Sequence, residues 1–223
     1  AITQVQLNEK AGLNFASSLR SIVRQNPDIL MVGEVRDLAT AEIAIRASMT
    51  GHMVFSTLHT SDAPFALNRL IDMGIEPYLV SSAVSCMLAQ RLVRTLCADC
   101  KTEIKELDPA THSLLEKYGF RPRAFEAKGC PKCIFQGYTG RTSIHELLIM
   151  GPKLKAMVNL KVPHASLRQE ALKLGMISLR TDGLAKVIEG ITTIEEVLRV
   201  SHDDDFSPER LAEKEESLRD NKV

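Results

Sequence analysis

Two Cys-x-x-Cys pairs, Cys97 with Cys100 and Cys130 with Cys133, constrain this chain more than any other feature of its sequence. Two residues between thiolates let both sulfurs of a knuckle reach one ion at about 2.3 Å, and a second knuckle completes a tetrahedron. Residues 101–129 between the pairs are charged and punctuated by Pro109, Gly119, Pro122 and Gly129, a run that predicts no core of ordinary size. A bound zinc ion is therefore expected to supply folding energy that a small, loop-rich module cannot draw from apolar burial. Four protein ligands leave no open position for water, so the zinc would be structural. The alternative is two disulfides or four unrelated thiols. Five cysteines behind a start, AITQVQLNEK, without a secretory apolar core suggest a reducing compartment, the cytoplasm by default. Cys86 is expected in a helix, as a buried apolar residue rather than a fifth ligand.

Upstream of the quartet the pattern alternates between strand and helix, which predicts an α/β layer structure. A strand is expected over Ile2–Leu7. Phe15, Leu19, Ile22 and Val23 share one helical face, and Pro27 closes that helix. Ile29 to Val32 is wholly apolar, as in strands covered on both faces by helices. A helix over Thr40–Met49 is capped by Gly51, and HMVFSTLH, residues 52–59, is a second buried strand. Helices follow over Ala63–Met73 and Tyr78–Gln90. Two strand–helix–strand passes imply a right-handed parallel sheet. Beyond the cysteines, Arg141–Leu148 is a candidate strand, and helices are expected near Lys153–Asn159, Ala165–Leu174, Leu184–Glu189 and Thr193–Val200. The linear division is 1–95, 96–136, 137–200 and a charged tail over 201–223. That tail, with eight acidic and four basic side chains, is expected to be a solvated helix or disordered end.

Polar residues at strand ends are the candidates for chemistry. Glu34 stands just beyond the first apolar strand, where ligands collect in parallel sheets. A carboxylate there can hold a water in line with a terminal phosphate, although a solvated loop acid fits the same pattern. Thr57 and His59 end the second strand, and His59 can sense a phosphate or simply bond to backbone. His52, at the opposite end, should lie further from any such site. Arg20, Arg24 and Arg36 flank the first strand, and their planar forks suit phosphate or carboxylate as well as plain solvation. Lysine plus arginine equals aspartate plus glutamate, 28 each, so no global charge argues for nucleic acid. Glu103, Glu106, Asp108, Glu116 and Glu126 likewise deny the cysteine region the basic patch of a zinc-ribbon nucleic-acid binder.

Three long stretches carry a family resemblance: GLNFASSLRSIVRQNPDILMVGEVRD, TAEIAIRASMTGHMVFSTLHTSDAP and QRLVRTLCADC. They closely resemble the ATPases that power type II secretion, and the extension motors of type IV pili are similar. The likeness runs from about Ile2 to Val200. It implies part of a RecA-like parallel-sheet ATPase core, then a small four-cysteine zinc module and a helical C-terminal region. In that family the segment ending Gly33-Glu34 is the Walker B element, with Glu34 as catalytic carboxylate. Thr50–Thr60 resembles its His box, with His59 at the functional position. Gly33, Thr57, Arg20, Arg24 and Arg36 fall in the phosphate site and its surroundings. The resemblance further implies ATP with magnesium, a homo-hexamer, and peripheral attachment to the inner membrane through platform proteins on which a pseudopilus is assembled. Retraction motors resemble the family but generally lack the cysteines.

One departure dominates. Nowhere does the sequence contain GxxxxGK followed by Ser or Thr, the loop whose amides and lysine cradle nucleotide phosphates. That loop is expected upstream of Ala1, and this piece alone is expected neither to hydrolyse ATP nor to bind it tightly. The competing reading is a non-catalytic zinc-binding adaptor on the same fold.

Overall fold

A computed structural model describes residues 2–8, 10 and 12–201. The expectation for the charged tail falls almost wholly outside the described residues. Within them the chain forms two compact units, residues 2–87 with 148–174 and residues 88–147 with 175–201.

The first unit is built on β1 (Ile29–Val32) and β2 (Met53–Ser56), parallel neighbours in register from Ile29↔Met53 to Val32↔Ser56. Helix α1 (Phe15–Val23) starts at a reciprocal cap: Ser17 N donates to Asn14 Oδ1 at 2.9 Å, and Asn14 N donates to Ser17 Oγ at 3.1 Å. It ends where Asn26 takes a left-handed turn ahead of Pro27. Helix α2 (Leu38–Met49) starts at Asp37, whose carboxylate accepts from Thr40 N at 2.8 Å. Leu19, Leu30, Val32, Ala44 and Ala47 form the core between these helices and the sheet. Burying side chains of the Leu and Val size stabilises by about 1.5–3 kcal/mol each.

The remaining helices of this unit are α3 (Ala63–Asp72), α4 (Pro77–Ala83), α6 (Pro152–Asn159) and α7 (His164–Lys173). Helix α4 packs on α6, and α3 on α7. Ser81 Oγ donates to Asn159 Oδ1 at 2.8 Å, and Lys153 pairs with Glu170 at 2.7 Å.

The second unit carries β3 (Cys86–Leu96), whose first two residues belong to the first unit, and its neighbour β6 (Tyr138–Ile149). It also holds an antiparallel pair, β4 (Lys101–Glu103) with β5 (Phe125–Ala127), and helices α5 (Pro109–Lys117), α8 (Leu179–Ile188) and α9 (Ile194–Val200). Its core joins Leu115 and Ala124 to Leu184, Val187, Ile194 and Val197. Beside it Glu196, 2% exposed, accepts from Arg94 N and from the Arg94 guanidinium, both at 2.8 Å, and from Arg199 at 2.9 Å. Arg94 also stacks over the Tyr138 ring, 4.0 Å from its centroid.

Several expectations are corrected. No strand forms over Ile2–Leu7, because a strand needs a neighbour and the nearby ladder contact is a single bridge, Asn8 with Leu13. One strand–helix–strand pass is therefore present among the described residues, not two. The apolar strands are covered on one face only: Leu30 and Val32 are buried, whereas Ile29, Met31, Met53 and Phe55 are exposed. The helix from Tyr78 stops at Ala83, and Cys86–Leu96 is extended. Buried Ala89, Val93 and Leu96 mimic helical spacing, and Arg91 and Thr95 on the inward face hide the true alternation. Cys86, the first residue of that strand, is exposed rather than buried. Residues 101–129 do own a core, because its partners arrive from α8 and α9, some 70 residues on.

Candidate functional site

Parallel register builds the first site. Beyond Val32 and Ser56 the two strands stay together: Val35 N donates to Thr57 O at 3.1 Å, and Thr57 Oγ1 donates to Gly33 O at 2.7 Å. Both chains thus leave the sheet side by side at their carboxyl ends, the position at which α/β sheets gather ligands. Glu34 and His59 meet there, with His59 Nε2 2.9 Å from Glu34 Oε1. A carboxylate only accepts, so Nε2 carries the proton of this contact. The other oxygen, Oε2, accepts from Arg36 Nε at 2.7 Å and from its terminal nitrogen at 2.6 Å. Hydrogen bonding from Arg36 holds the Glu34 carboxyl below the usual carboxylate range, against the upward push of burial, with His59 adding to the fall. The Glu34 side chain is 17% exposed and its two partners 88% and 72%, so the acid sits at the floor of an open cluster.

Chemically this is an ionised acceptor backed by an imidazole and a guanidinium. It can orient a water, take a proton from it, and offer cationic or N–H groups to an anion. The structure brings together Glu34, His59, Arg36, Thr57 and Gly33. It does not bring in Arg20 on α1 and Arg24 at its C-terminal cap, which are exposed and join none of these bonds. His52, the residue before β2, bonds to Ala47 O at 3.0 Å and Thr50 Oγ1 at 3.2 Å, closing the end of α2. Sequence reasoning missed Asp62, a nearly buried carboxylate that begins α3 three residues after His59. The available signal was an Asp immediately before Ala-Pro, a helix-start pattern.

The second site is the sulfur cluster. Cys97 Sγ lies 3.9 Å from Cys130 Sγ, and Cys133 Sγ lies 3.8 Å from both Cys100 Sγ and Cys130 Sγ. Four thiolates about 2.3 Å from one tetrahedral ion have edges of about 3.8 Å. A disulfide would bring two sulfurs to about 2.05 Å, and all four cysteines are free. The donor set therefore fits a metal and excludes the disulfide alternative.

Each knuckle is shaped by its backbone. Lys101 N donates to Cys97 O at 3.0 Å in the first, and Phe135 N to Cys130 O at 2.9 Å in the second. The amides of Cys130 and Gly137 point at Cys133 Sγ, at 3.1 and 3.2 Å. Gly137 has φ 77°, and a Cβ there would lie 2.6 Å from Ala127 Cβ, so no other residue fits without a shift. Burial acts to raise the Cys133 thiol, but those amides outweigh it and draw it down to about 6. Burial pushes Cys100 up to about 12. Four sulfurs this close cannot all be anionic unless a cation shares the charge.

The model of the family described as Type II/IV secretion system protein matches residues 1–199. The chain is 49% identical over 201 residues to the Type II secretion system ATPase E of Vibrio cholerae, covering 90% of this chain and 40% of that protein. It is 46% identical over 211 residues to the Type IV pilus assembly ATPase PilB of Myxococcus xanthus, with 92% and 37% covered. Among solved structures, the pilus retraction motor PilT with bound ADP shares the fold at a TM-score of 0.59 and 24% identity, over 90% of this chain and 46% of that one. The ATPase DotB of Legionella pneumophila does so at 0.58 and 21%, over 84% and 42%. The chain thus spans about two fifths of the length of the curated relatives it matches.

Proposed function

The chain belongs to the Type II/IV secretion system protein family, and from that premise we propose that it is the C-terminal portion of an ATPase motor driving type II secretion. The contact between Glu34 and His59 at adjoining strand ends carries the reading. Glu34 would orient the water that attacks the terminal phosphate of ATP and receive its proton. His59 and Arg36 would exchange their bonds to Glu34 for bonds to phosphate oxygens. Thr57 would hold the two strand ends in step, and Gly33 would give its carbonyl to that bond. Arg20 on α1 and Arg24 at its C-terminal cap, both exposed, would serve a phosphate or a neighbouring subunit.

The loop that cradles the phosphates has no counterpart in this sequence, so the 223-residue chain alone would not turn over ATP. Magnesium would enter with the nucleotide, held mainly by groups outside this chain. The uncovered apolar face of β1 and β2 supports a sheet that carries a further layer in the longer protein. Zinc is the metal best matched by four thiolates in a tetrahedron, and its role here would be structural. Assembly as a homo-hexamer, contact with inner-membrane platform proteins and a cytoplasmic, peripheral location complete the proposal. No described helix is long and apolar enough to cross a membrane. The Myxococcus relative is nearly as similar as the Vibrio one, so a type IV pilus extension motor is the second reading.

The test is ATP turnover by this chain and by a longer version that includes a GxxxxGK loop before Ala1. The longer version is expected to hydrolyse ATP and the chain alone to be silent. Silence from both, with nucleotide bound and zinc in place, would return the protein to the adaptor class.

A further inference from the structure

The loop that presents His59 runs from the end of β2 at Ser56 to the start of α3 at Ala63, and it is tied at both ends. At the strand end, Thr57 bonds to Gly33 and Val35. At the helix end the tie is Asp62, 8% exposed. Its Oδ1 accepts from Phe65 N at 2.7 Å, as an N-cap does, and also lies 3.0 Å from His164 Nε2. Its Oδ2 faces Arg168 at 3.7 Å. Both partners belong to α7, roughly a hundred residues further on. The Phe65 ring closes the group edge-on against His164, 5.5 Å between centroids. Inside the loop, Thr60 Oγ1 donates to Asp62 O at 3.2 Å.

An N-cap alone needs only the Phe65 amide. A carboxylate that is nearly buried and also gathers an imidazole and a guanidinium is fixed far more firmly than a cap requires. His59 stands three residues before it with its side chain almost fully exposed, so among the described residues the ring is held by its bond to Glu34 and not by packing. Its placement must then come from the ends of its loop.

We propose that Asp62, clamped by His164 and Arg168 of α7, is a positioning residue that keeps His59 in bonding register with Glu34. The proposal deepens the motor reading and rests on it for its purpose, but the geometry stands without it. It makes α7 an outside handle on the strand-end site: whatever moves α7 loosens His59.

The readout is the imidazole of His59 in the zinc-loaded 223-residue chain, followed by nitrogen-edited NMR at a pH where the ring is neutral. A ring fixed on Glu34 shows one tautomer with well separated nitrogen signals, and a released ring shows their average. The double variant His164→Ala/Arg168→Met is expected to lose the separation while Phe65 N keeps its protection from exchange, because Asp62 still caps α3. Lys153→Ala, which breaks a different ion pair of α7, is expected to leave His59 unmoved. A folded double variant with the parent pattern at His59 would overturn the proposal. Should the double variant not fold, His164→Ala and His164→Gln decide: the alanine must release His59, and glutamine, which restores a donor to Asp62, must recapture it. Equal behaviour of the two would sink the clamp. Turnover of the longer protein is scored separately: a clamp that behaves as described, with turnover indifferent to Glu34, would remove the motor reading and keep the anchor.

Discussion

The sulfur cluster and the strand-end pair both gather polar groups that lie far apart in sequence, and they do so by different physics. In the cluster, the two knuckles lie 29 residues apart and their side chains do the gathering: without an ion, four sulfurs within 4.8 Å of one another repel as soon as they ionise. At the strand ends the backbone gathers, through the β1–β2 ladder, and Glu34 and His59 ride on it. Side chains that hold a fold together cannot be changed without loss of the fold. Those merely carried by it are free to be chosen for chemistry. The two sites should therefore answer mutation in opposite ways, stability failing at one and activity at the other.

The largest effect is expected on removing the metal. Structural zinc contributes on the order of 10–16 kcal/mol to folding in small modules at neutral pH. Cys133→Ser, or a strong chelator, should take bound zinc from one per chain to none by elemental analysis. Amides of the knuckles, Lys101 and Phe135 among them, should lose protection from exchange. Amides that tie β1 to β2, such as Val35 and Met53, should keep theirs. If the β1–β2 amides open together with the knuckles, the contrast between the regions fails at its first point.

Glu34→Gln should give the mirror image. In the longer protein, turnover is expected to fall by at least about 100-fold, the usual scale for losing a positioned general base. Nucleotide binding should persist. The melting temperature should stay close to the parent's, because the pair with Arg36 is open to solvent and screened. A variant with parent-like turnover would take Glu34 out of the chemistry.

Two carboxylates sharpen the contrast further. Glu34 and Glu196 each hold two cationic or N–H-bearing side chains, yet Glu196 is buried and Glu34's partners are exposed. Burial acts to raise the Glu196 carboxyl, but Arg199 and Arg94 overcome it and bring it down to about 2, from an ordinary 4.5. A carboxyl lowered by folding stabilises fully above its unfolded value and loses that contribution as pH falls toward the folded one. The second unit should therefore hold level above about pH 4.5 and lose on the order of 3 kcal/mol between there and about pH 2. Glu196→Gln should flatten this acid limb in melts followed against pH. Glu34→Gln should leave it in place.

Legibility in the sequence followed the same divide. The cysteine spacing announced a tetrahedral site because a knuckle is a local object, complete within a few residues of Cys97 and of Cys130. The neighbouring core was not legible, since Leu115 finds its partners in α8 and α9, and spacing says nothing of so distant a contact. Glu34 and His59 were visible as residues at two strand ends, but only the register showed that they touch. Asp62 was hidden for the same reason, its cap local and its clamp a hundred residues away. The interleaving of the chain between two units leaves no compositional mark, because β3 and β6 run across that boundary without a break in the strand.

The smallest effect is expected at Thr57, where the comparison becomes a matter of ratio. Thr57→Val keeps the β-branched shape that suits a strand and removes one hydrogen bond, from Oγ1 to Gly33 O at 2.7 Å. That bond is solvent-exposed, so its loss should cost about 0.5–1 kcal/mol in a chemical melt. Gly33 is the residue before Glu34, and slack there is passed straight to the carboxylate. A misplacement near 1 Å can cost about 100-fold in rate, so even a fraction of it should lower turnover by about tenfold in the longer protein. The ratio of lost activity to lost stability would then be high at Thr57 and low at Cys133, as expected where the backbone holds one site and a metal the other. A Thr57→Val protein that unfolds as readily as the zinc-free one would show that this bond holds the fold, and one that turns over ATP unimpaired would show that the ladder holds the acid in place without it.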